Sequence, residues 1–274
     1  MQNFTIGIIG AGNMGLALAT GLTAGYAAPA HIGVYDRNPT HQSRAQALGL
    51  TVCPDAAGVV AASPTVVLAV KPQGLRALCH SIAPLIAHRA PLFISVAAGV
   101  RGADIDRWLG GGQAVVRAMP NTPALIQAGT TALWASPAVS DAQRTVAAAV
   151  LGAVSQVFWL ADEALMDAAT ALSGSGPAYV FLLAEALAEA GVAAGLPADL
   201  AAGLTANTIL GAARMLASKP ADAAALRAAV TSPGGTTERA VASLLGDGFR
   251  EMWARAILAA RDRSRALGAE LGAL

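Results

Sequence analysis

The stretch Phe4-Thr5-Ile6-Gly7-Ile8-Ile9-Gly10-Ala11-Gly12-Asn13-Met14-Gly15 decides the fold. It reads as a short apolar strand, a turn spelled G-x-G-x-x-G, and a helix whose apolar pattern continues through Leu16, Leu18, Ala19 and Leu22. A lone G-x-G-x-x-G is a weak signal, but between a strand and a helix it marks a dinucleotide-binding turn. Gly10 allows the tight turn, Gly12 lets the backbone approach a pyrophosphate, and Gly15 lets the helix pack close on the strand. Gly10, Gly12, Asn13, Met14 and Gly15 are therefore candidate cofactor contacts. A glycine turn without a ligand is the alternative reading.

Working outward, the next apolar run, Ile32 to Tyr35, ends in Asp36-Arg37-Asn38-Pro39. An acid about 20 residues after the glycines suits the ribose 2′-hydroxyl of NAD, whereas an arginine there suits the 2′-phosphate of NADP. Asp36 and Arg37 leave both open, and Asp36 could instead cap the helix after Pro39. Thr65–Val70, Leu92–Val96 and Ala114–Ala118 are nearly continuous apolar strands, as expected of central parallel strands buried on both faces. In an open α/β sheet, ligands sit at the carboxyl ends of strands. This makes Val70, Lys71, Pro72, Ala97, Ala98 and Asn121 further cofactor candidates. Lys71 suits a phosphate or ribose and Asn121 a nicotinamide carboxamide, and a plain loop role is the alternative for each. Thr130–Trp134 and Val157–Leu160 read as closing strands around a helix near 141–151.

After Leu160 the strand signal ceases. The pattern predicts helices over about 162–171, from Ser175 to Ala194, from Pro197 to about Ala217, over 222–230, and from the Gly234-Gly235 loop onward. The expected domains are thus 1–160, a Rossmann-type α/β domain with a mainly parallel sheet, and 161–274, all helical. Leu172-Ser173-Gly174-Ser175-Gly176-Pro177-Ala178-Tyr179 reads as the Gly-rich start of the long apolar helix. Pro177 sits in its first turn, and exposed N–H groups there would suit an anion. Ser232-Pro233-Gly234-Gly235-Thr236-Thr237 is a second loop of the same kind.

Composition narrows the class. The chain has 274 residues, 55% apolar and 13% charged, with a net charge of +1. So little charge points to apolar surface buried between subunits, and near neutrality gives no footprint for nucleic acid. Glu185 and Glu189 cut the longest apolar stretch, and no run reaches the ~18 residues of a membrane span. Cys53 and Cys79 have no metal spacing, and with no signal peptide a reduced, cytoplasmic protein is expected.

A dinucleotide domain followed by a helical one suggests an oxidoreductase. Reducing a ketone requires a general acid for the developing alkoxide, commonly His, Lys or Tyr. The second half holds no histidine, one tyrosine (Tyr179) and one lysine (Lys219, beside Pro220). A protonated imine accepts hydride without a further strong acid. A hydroxyl to orient its nitrogen and a pocket for its charge suffice, and the Ser/Gly/Thr loops offer both.

Six segments in order resemble the Δ1-pyrroline-5-carboxylate reductase family. They are Gly10–Gly15, Val70-Lys71-Pro72, Ser95–Val100, Arg117–Pro123, Leu172–Tyr179, and Ser232–Thr237 followed by Gly248-Phe249-Arg250. The resemblance implies NAD(P)H-dependent reduction of 1-pyrroline-5-carboxylate to L-proline, with NADPH preferred and NADH the alternative. It also implies a helical dimerisation domain and a homodimer, or a larger assembly of dimers. The site would join one subunit's cofactor face to the partner's helical loops. Gly234, Gly235 and Thr236 would present N–H groups to the substrate carboxylate and Thr237 a hydroxyl to the imine nitrogen. Ser175 would lie beside the pocket, with Glu163 a further substrate contact. Asp36 departs from the NADP-preferring pattern. The competing readings are a β-hydroxyacid dehydrogenase, for which Lys219 is poorly placed, and a non-catalytic dinucleotide sensor.

Overall fold

In a computed structural model, residues 3–86, 89–218 and 222–273 are described, so Lys219 and Pro220 lie outside the described residues. Eight strands form one sheet in the order β3-β2-β1-β4-β5-β6-β7-β8. They are β1 (Ile6–Ile9), β2 (Ile32–Tyr35), β3 (Thr51–Val52), β4 (Thr65–Leu68), β5 (Leu92–Ser95), β6 (Ala114–Met119), β7 (Gly129–Ala135) and β8 (Ser155–Trp159). All neighbours run parallel except β6 and β7. Among the described residues no strand follows Trp159, as expected. The edge strand β3 was not foreseen, being two residues long.

The continuous apolar strands follow from burial on both faces. Side chains alternate along a strand, so Val67, Ile94 and Val116 enter one core while Val66, Leu68, Phe93 and Val115 enter the other. Burial pushes the Cys79 thiol up to about 12, which leaves it inert as a nucleophile at neutral pH. The order of strands reverses at β1, which lies between β2 and β4. The carboxyl ends of these strands therefore flank a crevice.

The chain packs as two units, Met1–Gly176 with Leu258–Leu274, and Pro177–Ile257. In the first unit the end of the helix Phe249–Ala273 returns to the sheet domain. Ser264 donates to Asp167 Oδ1 at 2.7 Å, and Gly268 packs against the Gly99 carbonyl with no room for a Cβ. The second unit is helical, with Ala198–Ala217, Ala223–Ala229 and Thr236–Gly246 among its helices. Its most apolar helix, Gly176–Ala193, has no buried residue, and Phe181 and Leu182 are 63% and 65% exposed.

Two expectations need correction here. The long apolar helix does start within Leu172–Tyr179, at Gly176 with Pro177 in its first turn, but the residues before it are helical rather than loop. Glu163–Leu165 is a 3₁₀ turn, Met166–Ala169 is α-helical, Thr170–Gly174 is a π turn, and the chain passes on into Gly176–Ala193. Ser175 N–H donates to the Thr170 carbonyl at 2.9 Å, so one of the N–H groups expected to meet an anion is already bound. The second concerns membranes. Glu163–Ala193 and Ala198–Ala217 are both long and apolar enough to cross one by length and composition. Each holds an 18-residue window with no more than two charged side chains, which counting uninterrupted runs overlooks.

One buried ion pair ties the first unit together. Glu163 Oε1 accepts from Arg117 Nη1 at 2.8 Å and from Gly102 N–H at 2.6 Å. It thereby joins β6, the start of the helix Gly102–Trp108 and the start of the helical stretch. The Arg117 side chain is only 8% exposed. Removing one partner of a buried pair leaves an uncompensated charge and costs about 3 kcal/mol or more. Glu163→Ala is therefore expected to lower the urea midpoint by about 3 kcal/mol equivalent at unchanged slope, with Glu163→Gln intermediate. A midpoint equal to that of the parent would show that the pair contributes nothing to folding.

Candidate active site

The crevice at the reversal point is a cleft of about 950 Å³. It gathers Gly10 and Gly12 from the turn after β1, Asp36, Arg37 and His41 from beyond β2, Asp55 after β3, and Val70 and Lys71 after β4. Gly12 is the N-cap of the helix Asn13–Thr23 and makes no side-chain cap bond. The first N–H groups of that helix thus remain for an anion. A Cβ at Gly12 would meet nothing within 4 Å, while one at Gly15 would lie 1.9 Å from the Gly10 carbonyl oxygen. Gly10 itself has φ +105°, which favours glycine. An open backbone face beside a tightly packed helix start fits a dinucleotide pyrophosphate.

Asp36 is more heavily engaged than its sequence position suggests. Its carboxylate accepts from Ala11 N–H at 2.6 Å, from Asn38 N–H at 2.8 Å and from His41 Nδ1 at 3.1 Å. Partial burial pushes this carboxyl up, but the Asn38 and Ala11 N–H groups and the His41 ring outweigh it and hold it below the usual value. The helix after it is capped by Asn38, which accepts from Thr40 N–H, so Asp36 is not that cap. Asp36 instead braces the glycine turn, with three of its acceptor positions already in use. Arg37 is exposed and makes no ion pair among the described residues.

Other expected cofactor residues are not among those lining this cleft. Asn13 lines a separate depression of about 360 Å³ with Thr20, Arg44 and Gln127. Met14 is half-buried against the core, and Pro72 is the first residue of the helix Pro72–Ile82. Ala97 is buried and Ala98 exposed in the turn after β5. The Asn121 amide is already engaged at both ends. Its Oδ1 accepts from Thr130 N–H at 2.8 Å, and its Nδ2 donates to the Ser173 carbonyl at 3.2 Å. Pro177 has no N–H to offer that carbonyl four residues back, and Asn121 supplies the missing donor. One Nδ2 hydrogen is left for a carboxamide.

In the second unit, Gly234 has φ +73° and Gly235 is the N-cap of the helix Thr236–Gly246. Two of the three N–H groups expected to meet a substrate carboxylate are already bound. Glu238 Oε2 accepts from Gly234 N–H at 2.7 Å, and the Ser232 carbonyl accepts from Gly235 N–H at 3.0 Å. The N–H groups of Thr236 and Thr237 are what the helix start still offers. Thr237 is half-buried in this first turn. Ser175, half-buried, is held in the first unit by its bond to Thr170, while the neighbouring Ser173 hydroxyl is buried without a partner among the described residues. Glu163 is engaged with Arg117 and Gly102 as described. Sequence reasoning missed His41 and Glu238. Neither lies in a motif, although an acid three residues into a helix is a capping signal.

Two family models match the chain: pyrroline-5-carboxylate reductase dimerisation over residues 163–267, and NADP oxidoreductase, coenzyme F420-dependent, over residues 5–99. The pyrroline-5-carboxylate reductase of Pseudomonas aeruginosa is 44% identical over 275 residues, spanning 99% of this chain and all of that one. The solved structure of a Coxiella burnetii pyrroline-5-carboxylate reductase superposes with a TM-score of 0.93 at 38% identity, covering 97% of this chain and 99% of that chain. The Plasmodium falciparum pyrroline carboxylate reductase, solved with NADP bound, gives a TM-score of 0.84 at 29% identity over 98% and 99% of the two chains. With relatives this similar over its whole length, the chain belongs to the pyrroline-5-carboxylate reductase family.

Proposed function

We propose that this protein reduces 1-pyrroline-5-carboxylate to L-proline with NADPH. The observation that carries the reading is full-length similarity to named reductases together with a glycine-lined cleft at the sheet's reversal point. The coenzyme supplies a hydride to the imine carbon, and the imine nitrogen keeps its proton in the product amine. The residues present fit that coenzyme, with the helix start at Gly12 for the pyrophosphate and Arg37 for a 2′-phosphate. Lys71 lines the same cleft and suits the coenzyme phosphates or ribose. The remaining N–H groups of Thr236 and Thr237 serve the substrate carboxylate, and the Thr237 hydroxyl serves the ring nitrogen. Ser175 contributes beside the pocket, and Glu163 acts by holding Arg117. The lack of histidine after residue 88 suits an imine better than a ketone.

The chain works as a homodimer in this reading, through residues 161–274, in the reduced cytoplasm. The apolar helix Gly176–Ala193, unburied along its whole length, and the match to a dimerisation model over 163–267 support it. A subunit interface is also the natural use of surface that would otherwise suit a lipid environment. Obligate interfaces are large and hydrophobic.

Two experiments test these statements. Thr237→Ala is expected to bind NADPH normally and lose about 10- to 150-fold in kcat/KM, the worth of a hydrogen bond to a charged group. Thr237→Ser should keep most of the activity. A Thr237→Ala enzyme with parental turnover and a lower Tm would make the hydroxyl only a helix cap. Phe181→Asp should sediment as an inactive monomer at micromolar concentration, and an unchanged, active dimer would remove this helix from the interface.

A further inference from the structure

We propose that His41 sets the cleft's preference for a coenzyme carrying a 2′-phosphate. The inference rests on the reading of this cleft as a dinucleotide site. Six charged or titratable side chains line it: Tyr35 at the end of β2, Asp36, Arg37 and His41 beyond it, Asp55 before the helix Ala56–Ala62, and Lys71 before the helix Pro72–Ile82. Arg37 and Lys71 balance the two carboxylates, so the ring that pairs with Asp36 sets how much negative charge this end of the lining presents to a ligand.

The local geometry gives the ring its orientation. Asp36 is 16% exposed in its side chain, and its Oδ2 lies 3.1 Å from His41 Nδ1. A carboxylate can only accept, so Nδ1 carries the proton. The His41 side chain is 31% exposed. As an imidazolium it would have Nε2–H as a second donor, on a side chain that lines the same cleft as Arg37. The ring then stands between two anions, Asp36 and the bound phosphate, and offsets the repulsion that Asp36 alone would impose. A coenzyme with a bare 2′-hydroxyl gains nothing from that charge. His41 in this way reconciles an acid at position 36 with an NADP-type ligand.

Calorimetry on the full chain with adenosine 2′,5′-bisphosphate and with 5′-AMP reads this directly, beside the KM values for NADPH and NADH. Glutamine keeps a hydrogen-bond donor for Asp36 and removes the charge. His41→Gln is expected to weaken the bisphosphate relative to 5′-AMP by about tenfold and to raise the KM for NADPH relative to NADH by a similar factor. His41→Lys should restore most of the discrimination. An unchanged bisphosphate-to-AMP ratio in His41→Gln overturns the proposal. Equal weakening of both ligands also overturns it, because it would mean that the ring only steadies Asp36 and the glycine turn. Failure of the parent protein to bind either nucleotide would overturn the dinucleotide reading itself, and this inference with it.

Discussion

No side chain larger than hydrogen fits at position 15. A methyl there would lie 1.9 Å from the Gly10 carbonyl oxygen, and that oxygen belongs to backbone that cannot swing aside. The helix Asn13–Thr23 therefore sits as close to the end of β1 as two pieces of backbone allow. Its unpaired N–H groups are thereby aimed at the crevice between β2 and β4. Asp36 fixes the same turn from the other side through Ala11 N–H. The anion site is a product of close packing and one carboxylate brace, with no positive side chain needed to create it.

How much of this the sequence reveals depends on the range of the interaction. The central strands were readable because burial on both faces removes polar residues altogether, and the helix starting at Asn13 because its glycines stand beside that signal. Strand β3 was invisible, since two residues carry no period. The glycine and proline of Leu172–Tyr179 do mark the helix that starts at Gly176, but nothing in their spacing announces the π turn Thr170–Gly174 that leads into it. Asn121 meets the Ser173 carbonyl 52 residues away and Glu163 meets Arg117 46 residues away. Contacts at such separations leave no mark in local spacing. The loop at Gly234 was placed correctly at a helix start, but its self-binding through Glu238 depends on a rotamer.

The two units meet the hydrophobic effect differently. In the first, almost every large aliphatic side chain of the parallel strands is fully buried. In the second, Val180, Phe181, Leu182, Leu200, Leu204, Met215 and Leu216 are all exposed in the single chain. Exposed large apolar side chains in such number are what surface covered by another element or subunit looks like in an isolated chain. The low charge content of the whole chain lies mostly in the sheet domain, whose strands are buried on both faces, while the helical part carries more charge and still leaves these apolar side chains exposed.

A π turn contains one residue more than an α-helical turn would use. At Thr170–Gly174 that extra residue advances everything after it by about 100° around the helix axis. The apolar pattern before and after the turn therefore cannot be laid on a single helical wheel, and a wheel drawn across 163–193 smears two stripes into one. The turn also makes sequence length at this point a conserved quantity in the geometric sense. Deleting any one of these five residues would remove the extra residue, turn everything after it by the same angle, and move the Ser173 carbonyl away from Asn121. Insertions and deletions should thus be tolerated in the loops of this fold and not here.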